Sequence, residues 1–197
     1  MKKIILSILA VASFGIANAQ EGDAASYGLT TGDWWAEGSF SIRSGDSEDS
    51  WSFNPKVGYM LNEKWGVGGF LSFSGYDDGS EERDVFGAGG FVRYYFLALG
   101  ARKNFQAYGE AGLGFGSVKT TPNGGSSSTD GAFNANIDLG INYFFTDHWA
   151  ATFELANIVS YNNTNPESGD NSNDLKVEVN LFNNIFAQPQ FGLLYKW

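Results

Sequence analysis

Apolar and polar positions alternate with a period of two along most of the chain. Between residues 105 and 117 the odd-numbered positions are mostly apolar, while the even-numbered positions carry polar side chains or glycine. Between residues 133 and 145 the polar side chains Asn134, Asn136 and Asp138 again lie on one face only. A helix would spread such residues around its circumference, whereas a strand places alternate residues on opposite faces. The pattern therefore predicts β-strands.

The same alternation predicts eight strands. They cover residues 34–43, 51–61, 65–74, 84–96, 105–118, 132–145, 149–161 and 175–197. The connections are short at 62–64, 97–104 and 146–148, and longer and more polar at 44–50, 75–83, 119–131 and 162–174. Outer-membrane barrels have short periplasmic turns and long extracellular loops in this alternation. The predicted fold is all-β, an eight-stranded antiparallel up-and-down transmembrane β-barrel.

The last predicted strand is too long to be one regular strand. Asn183, Asn184 and Pro189 predict a bulge or break within it, because proline cannot donate a hydrogen bond to a ladder. Residues 175–188 can belong to the barrel wall or form an extension above the membrane, and the sequence leaves both possibilities open.

Residues 1–19 have the features of a secretory signal peptide. Lys2 and Lys3 form a basic start, residues 4–16 are apolar, and Ala17-Asn18-Ala19 is a small-residue cleavage site. The apolar run is well short of the roughly 20 residues that a spanning helix needs. We therefore expect cleavage near Ala19 and a single barrel domain over residues 20–197. The absence of cysteine excludes a lipidated cysteine and disulfides.

Charge and composition narrow the class of protein. Without Lys2 and Lys3, ten basic residues face 22 acidic ones, so the mature net charge is −12. This balance argues against nucleic acid as a partner. Charged residues are only 17% of the chain, aromatic residues are 16%, and there are 26 glycines. That combination is expected where one face of each strand meets lipid.

Tryptophans mark the ends of the predicted strands. Five of them (Trp34, Trp35, Trp65, Trp149 and Trp197) fall at the predicted periplasmic ends, whereas Trp51 falls at the opposite rim with Phe86, Phe115, Phe133 and Tyr161. Because such rings favour headgroup depth, two aromatic girdles are expected. A soluble β-sandwich would need a second apolar face, but the opposite faces here carry Gly, Asn and charges.

With its signal segment, eight strands and aromatic last strand, the chain resembles the small eight-stranded outer-membrane β-barrel family of OmpA/OmpX type over nearly its whole mature length. In such proteins the last strand is a recognition signal for the outer-membrane assembly machinery. Gln190, Gly192, Tyr195 and Trp197 match its pattern, with a terminal Trp in place of the commoner Phe. The resemblance implies an outer-membrane location, contact with lipid including lipopolysaccharide, and contact with that machinery during biogenesis.

The interior of an eight-stranded barrel is just wide enough to be filled by side chains. The polar positions expected to point inward are Glu37, Arg43, Lys56, Arg93, Glu110, Asn134, Asn136, Asp138, Glu154, Lys176 and Glu178. Buried charges need partners or water. Two hypotheses remain open: a closed network of ion pairs and water that plugs the barrel, or a narrow gated pore in which Arg93 and Glu110 exchange partners.

Candidate groups for catalysis or metal binding are few. The single histidine, His148, lies in a predicted periplasmic turn without a positioned nucleophile, so we expect neither an enzyme nor a cofactor. The long loops are acidic, with Asp46, Glu48, Asp49, Asp77, Asp78, Glu81, Glu82, Asp84, Glu167, Asp170 and Asp174. We interpret them as a solvated rim. The alternative, divalent-cation binding, lacks the spacing of an EF-hand loop, and no metal site is predicted.

The sequence thus predicts a monomeric, non-enzymatic, integral outer-membrane barrel with a structural or surface-interaction role. The first alternative is a small porin-like channel for ions or small solutes, and a minor one is a secreted soluble β-sandwich binding module. The extracellular partner is not identified by any pattern in the chain.

Overall fold

A computed structural model describes residues 26–45, 48–165, 172–177 and 190–197. The predicted signal peptide and the predicted break near Asn183 and Pro189 lie outside these residues. The strands follow the alternating segments of the sequence. They are β1 (Trp34–Ser44), β2 (Asp49–Met60), β3 (Trp65–Asp77), β4 (Glu81–Leu99), β5 (Phe105–Pro122), β6 (Ser128–Phe144), β7 (Trp149–Asn165), β8 (Ser172–Val177) and β9 (Gln190–Lys196).

The strands form a closed antiparallel barrel. Neighbours from β1 to β7 pair in chain order, and β9 closes the sheet between β1 and β7. Both β8 and β9 pair with β7: β8 with residues 159–164 and β9 with residues 149–154. They therefore occupy one position in the wall, and the barrel has eight strands, as predicted. No helix within the described residues is long and apolar enough to cross a membrane.

At one end of the barrel the strands begin or end within one residue of the prediction, except that β4 continues to Leu99 instead of ending at residue 96. At the other end they run further than predicted. We call these the turn end, which holds the connections 61–64, 100–104 and 145–148, and the loop end. At the loop end β5 continues to Pro122 and β6 already begins at Ser128. These extensions consist mainly of polar residues. Backbone hydrogen bonds between strands can continue there, because they do not require an apolar face. The apolar alternation that defined the predicted limits ends earlier.

Aromatic side chains ring the outer surface at two levels. At the turn end Trp65 packs on Tyr94 with ring centroids 4.7 Å apart, and Trp149 packs on Tyr195 at 4.8 Å. At the loop end Phe133 contacts Phe115 at 5.1 Å. The exposed surface between the two levels is apolar and includes Val57, Leu71, Val92, Leu113, Ile137 and Leu193. Two girdles around an apolar band are the arrangement expected of a lipid-facing barrel.

The structure corrects one member of the predicted girdle. Trp35 points into the barrel and is completely buried, whereas its neighbour Trp34 points outward against Tyr59. Adjacent residues of a strand face opposite sides, so two consecutive tryptophans cannot both belong to the outer girdle. Trp35 instead packs against Phe91 inside the barrel, with centroids 6.3 Å apart.

Candidate functional site: the barrel interior

The interior has three successive parts. An apolar floor closes the turn end, a charged layer lies above it, and a cavity extends toward the loop end. Each part is built from side chains on alternate positions of the strands, together with the segment that precedes β1.

Residues 26–33, which we call the N-terminal segment, cross the turn end of the barrel. Leu29 of this segment is completely buried among Trp35, Met60 and Phe144. Its amide donates to Oε1 of Gln106 at 3.0 Å, and Nε2 of Gln106 donates to its carbonyl at 3.2 Å. A buried amide side chain thus satisfies both backbone groups of Leu29, as an interior position requires.

Two basic residues tether the same segment. Nζ of Lys196, on the last strand, donates to the carbonyl of Gly28 at 2.8 Å and to the carboxylate of Asp33 at 3.1 Å. The guanidinium of Arg102 lies over the ring of Tyr27, 4.8 Å from its centroid. The alternation of β9 predicted only that Lys196 opposes the aromatic face. Its use as a tether depends on contacts 163 and 168 residues away in sequence, which no local pattern reveals.

Arg93 is the centre of the charged layer. Its side chain is completely buried; Nε donates to Glu110 at 2.6 Å and Nη1 donates to Glu37 at 2.8 Å. The guanidinium also lies 3.9 Å from the centroid of the Tyr108 ring. A buried cation is tolerated when carboxylates and other polar groups replace its water, and this environment supplies two carboxylates and an aromatic face.

Lys56 extends this layer toward the cavity. Its Nζ donates to Oε1 of Glu110 at 2.5 Å and lies 5.7 Å from the centroid of the Phe91 ring. Glu110 therefore receives charged donors from both Lys56 and Arg93. Charge-assisted hydrogen bonds of this kind are stronger than neutral ones, so these contacts hold β2, β4 and β5 together through the interior.

Large interior side chains lie over glycines of neighbouring strands. A Cβ added to Gly58 would come within 2.2 Å of Trp35, and one added to Gly140 within 2.3 Å of Tyr108. A Cβ at Gly89 would lie 2.5 Å from Phe70. These glycines give the rings their space, and they explain how a narrow barrel holds several aromatic residues.

A cavity of about 500 Å³ lies above the charged layer. It extends from Lys56 and Glu110 to Gly116 and Asn163 near the loop end. Its wall combines polar side chains with apolar surface and a phenyl ring. The polar residues include Asn54, Ser72, Asn134, Asn136, Asp138, Glu154, Asn157 and Ser160, and the ring is that of Phe70.

Two acidic residues of this wall have different surroundings. Asp138 accepts from Nδ2 of Asn157 at 2.7 Å and also from the amide of Asn136. Glu154 lies on the next strand and pairs with Gly140, two positions along from Asp138. Within the described part of the chain Glu154 forms neither a hydrogen bond nor an ion pair. Among the described residues, the cavity wall therefore has more carboxylate groups than cations, because Lys56 is the one cation there.

The structure brings together six of the charged residues expected in the interior: Glu37, Lys56, Arg93 and Glu110 in contact, with Asp138 and Glu154 beside them. Arg43 lies on β1 and Lys176 on β8, but their side chains are outside the described part, as is all of Glu178. Sequence reasoning missed the interior aromatic residues and the N-terminal segment. The glycines opposite each ring were the available signal.

Of the expected assembly signal, three residues are described in full at the end of β9. Tyr195 and Trp197 face outward at the turn end and stack with centroids 6.0 Å apart. Gly192 faces Gly38 and Thr152 so closely that an added Cβ would lie 2.6 Å from the Gly38 carbonyl oxygen. Gln190 begins β9, and its side chain lies outside the described part.

Polar groups at the two ends have local partners. The imidazole Nδ1 of His148 lies 3.0 Å from the carbonyl oxygen of Lys196, and the ring stacks on Tyr195. At the loop end, hydrogen bonds from the Ser80 hydroxyl and from the backbone amides of Glu81 and Ser80 lower the pKa of Asp78. Its carboxylate is thus engaged in shaping a turn. The described residues contain no cluster of three or more acidic, His or Cys side chains suited to a metal ion.

A closed barrel with an apolar belt, two girdles and a polar interior defines a small integral β-barrel of the outer membrane. The chain belongs to the outer membrane protein beta-barrel domain family, whose model matches residues 6–182. The protein is therefore a bacterial outer-membrane protein.

Solved structures of outer-membrane proteins have the same fold. The N-terminal β-barrel domain of Pseudomonas aeruginosa OprF is 17% identical, with a TM-score of 0.50, and the alignment covers 86% of this chain and 100% of that one. Neisserial surface protein A is 16% identical, with a TM-score of 0.51, and covers 84% of this chain and 94% of its own. A comparison with curated protein sequences found no match.

Proposed function

We propose that this protein is a non-conducting barrel whose role in the outer membrane is structural or depends on contacts made by its loops. The observation that carries the proposal is the closure of the turn end. Leu29, Trp35 and Arg93 are completely buried across the interior, and the N-terminal segment is tied to β5 and β9. A continuous aqueous path would require these side chains to move.

The alternative role is that of a small channel. Conduction would then require the charged layer to rearrange. Arg93 would have to leave Glu37 or Glu110, and a buried charge that loses its partner costs about 3–5 kcal/mol. The packing of Arg93 on Tyr108, with 3.9 Å to the ring centroid, further opposes that motion. These contacts favour the closed interpretation.

Planar-bilayer recording of the purified, folded protein tests the proposal. We expect no reproducible conductance steps from the wild-type protein. Arg93→Gln, which removes the guanidinium, and Lys103→Gln, which alters an exposed turn residue, form the matched pair. Steps in the wild-type protein that Arg93→Gln changes and Lys103→Gln does not would overturn the closed interpretation in favour of a channel.

In this role the protein is not an enzyme, and it has two kinds of partner. We propose that lipid, including lipopolysaccharide, surrounds the apolar belt, and that the assembly machinery recognises Tyr195 and Trp197 at the exposed end of β9. Exposure of both rings at the turn end supports this recognition. Trp197→Ala should lower the amount of folded barrel in the outer membrane of cells, measured by fractionation. Trp51→Ala, a change of the same size at the loop end, should lower it less.

A further inference from the structure

We propose that the cavity at the loop end is a binding site for a small organic cation, such as a primary amine or diamine. The proposal does not depend on whether the barrel conducts. It follows from the charge of the cavity wall, from its polar and aromatic residues, and from the way in which the same interior already holds an ammonium group.

Among the described residues, the wall has more carboxylates than cations. Glu110, Asp138 and Glu154 line the cavity on three consecutive strands, whereas Lys56 is the one basic residue among the described residues that line it. Glu110 and Asp138 lie directly opposite each other in the β5–β6 pairing. Like charges in that position repel, and a carboxylate removed from bulk water needs compensation.

The two cations near Glu110 are already committed. Lys56 and Arg93 both bond to Glu110, and Arg93 also bonds to Glu37. Asp138 has only neutral amide donors, and Glu154 has no hydrogen-bonding partner in the described part of the chain. A cation entering the cavity would meet Asp138 and Glu154 without displacing an existing ion pair.

Lys56 illustrates the coordination that such a ligand would find. Its ammonium lies 2.5 Å from a Glu110 oxygen and 5.7 Å from the centroid of the Phe91 ring. The cavity offers a similar set beside this one, with Glu154 and Asp138 as acceptors and the Phe70 ring in the same wall. Carboxylates combined with an aromatic face are a favourable environment for an alkylammonium group.

Further polar side chains of the wall suit a hydrophilic ligand of limited size. Asn134, Asn157 and Ser160 supply amide and hydroxyl groups that can accept from the further protons of an ammonium. The volume of about 500 Å³ admits a short chain with two amino groups. The cavity reaches Asn163 near the loop end, which gives a route of entry from the outside.

Calorimetric titration of the folded, full-length protein in detergent micelles with 1,4-diaminobutane tests the proposal. We expect saturable binding at a single site and none of butane-1,4-diol, which has the same length without charge. Glu154→Gln and Asp138→Asn should each weaken diamine binding by about tenfold or more, because each removes a charged partner inside the cavity. Glu82→Gln, the same change at the exposed rim, should alter it by less than about twofold.

A second variant separates binding from folding. Ser72→Trp introduces a large ring into the cavity from β3, whereas the two carboxylates lie on β6 and β7, and it should abolish diamine binding in protein that still shows the heat-dependent gel shift of a folded barrel. The proposal is overturned if the wild-type protein shows no saturable binding, as it would if Asp138 and Glu154 satisfied each other by sharing one proton. It is also overturned if the diol binds equally well or if Glu82→Gln weakens binding as much as Glu154→Gln.

Discussion

At the scale of single residues, the interior depends on pairs formed by one large side chain and one glycine. Trp35 with Gly58, Phe70 with Gly89, and Tyr108 with Gly140 each bring a ring against the backbone of a neighbouring strand. The backbone can approach a ring this closely only where there is no Cβ. These three glycines are therefore packing positions as well as signs of a barrel wall.

Gly140→Ala tests this packing on β6. The new Cβ would lie 2.3 Å from the Tyr108 ring, which is fixed between Arg93 and Thr152, so we expect a loss of about 1–3 kcal/mol in the free energy of unfolding. Urea unfolding in detergent or lipid vesicles measures it. Gly131→Ala on the same strand has nothing within 4 Å of its Cβ and should change stability by less than about 1 kcal/mol. Equal losses would contradict the packing argument.

Leu139 and Asn136 test the two faces of the same strand. Leu139 pairs with Gly109 on the outward face, whereas Asn136 pairs with Gly112 and lines the cavity. Leu139→Arg places a charge against lipid and should cost about 2–4 kcal/mol, while Asn136→Arg should be tolerated better. The same unfolding measurement applies. Equal destabilisation by the two arginines would show that the faces of β6 are assigned incorrectly.

At the scale of elements, the sequence predicts much of the wall but little of what fills the turn end. The alternation gives the eight strands, since it reflects a face in contact with lipid. The predicted strands end too early at the loop end, because cross-strand pairs there, such as Thr120 with Ser128, are polar and do not continue the apolar alternation. The N-terminal segment has no periodic pattern that would predict its position. Its position depends on individual distant partners, Gln106 and Lys196.

Gln106→Ala tests the attachment of the N-terminal segment. The variant removes both hydrogen bonds to Leu29, and a buried group left without its partner costs about 1–3 kcal/mol, so the Leu29 amide should exchange with deuterium about tenfold faster or more. Hydrogen exchange of peptides covering residues 26–33 measures the effect. Glu63→Gln removes the exposed ion pair with Lys103 near the same turn and should leave this exchange unchanged. Unchanged exchange in Gln106→Ala would show that other contacts hold the segment.

At the scale of the whole molecule, closure of the sheet depends on the seam between β1 and β9. Gly192 lies in this seam, where an added Cβ would be 2.6 Å from the Gly38 carbonyl oxygen and 2.7 Å from Thr152. The terminal residues also pair across it, because Trp34 and Trp197 exchange backbone hydrogen bonds of 3.3 and 3.1 Å. A barrel without free edges is the form in which strands can span lipid.

Migration on a gel before and after boiling tests closure. The wild-type protein should migrate differently in the two states, since a closed barrel stays folded in detergent until heated. Gly192→Val should reduce the fraction of folded protein by forcing the seam apart, whereas Gly131→Ala should not. A single band under both conditions for the wild-type protein would be incompatible with a stable barrel and would support the soluble sandwich instead.

The inward position of Trp35 has an optical consequence. Among the six tryptophans it alone is completely buried, while the other five are 40% or more exposed on the surface that faces lipid and headgroups. In vesicles made with brominated lipid, the emission of those five indoles should be quenched and that of Trp35 should persist. Trp35→Phe should remove the persistent emission. Time-resolved fluorescence of the unmodified protein in these vesicles would therefore report on the surroundings of Trp35 in the barrel interior.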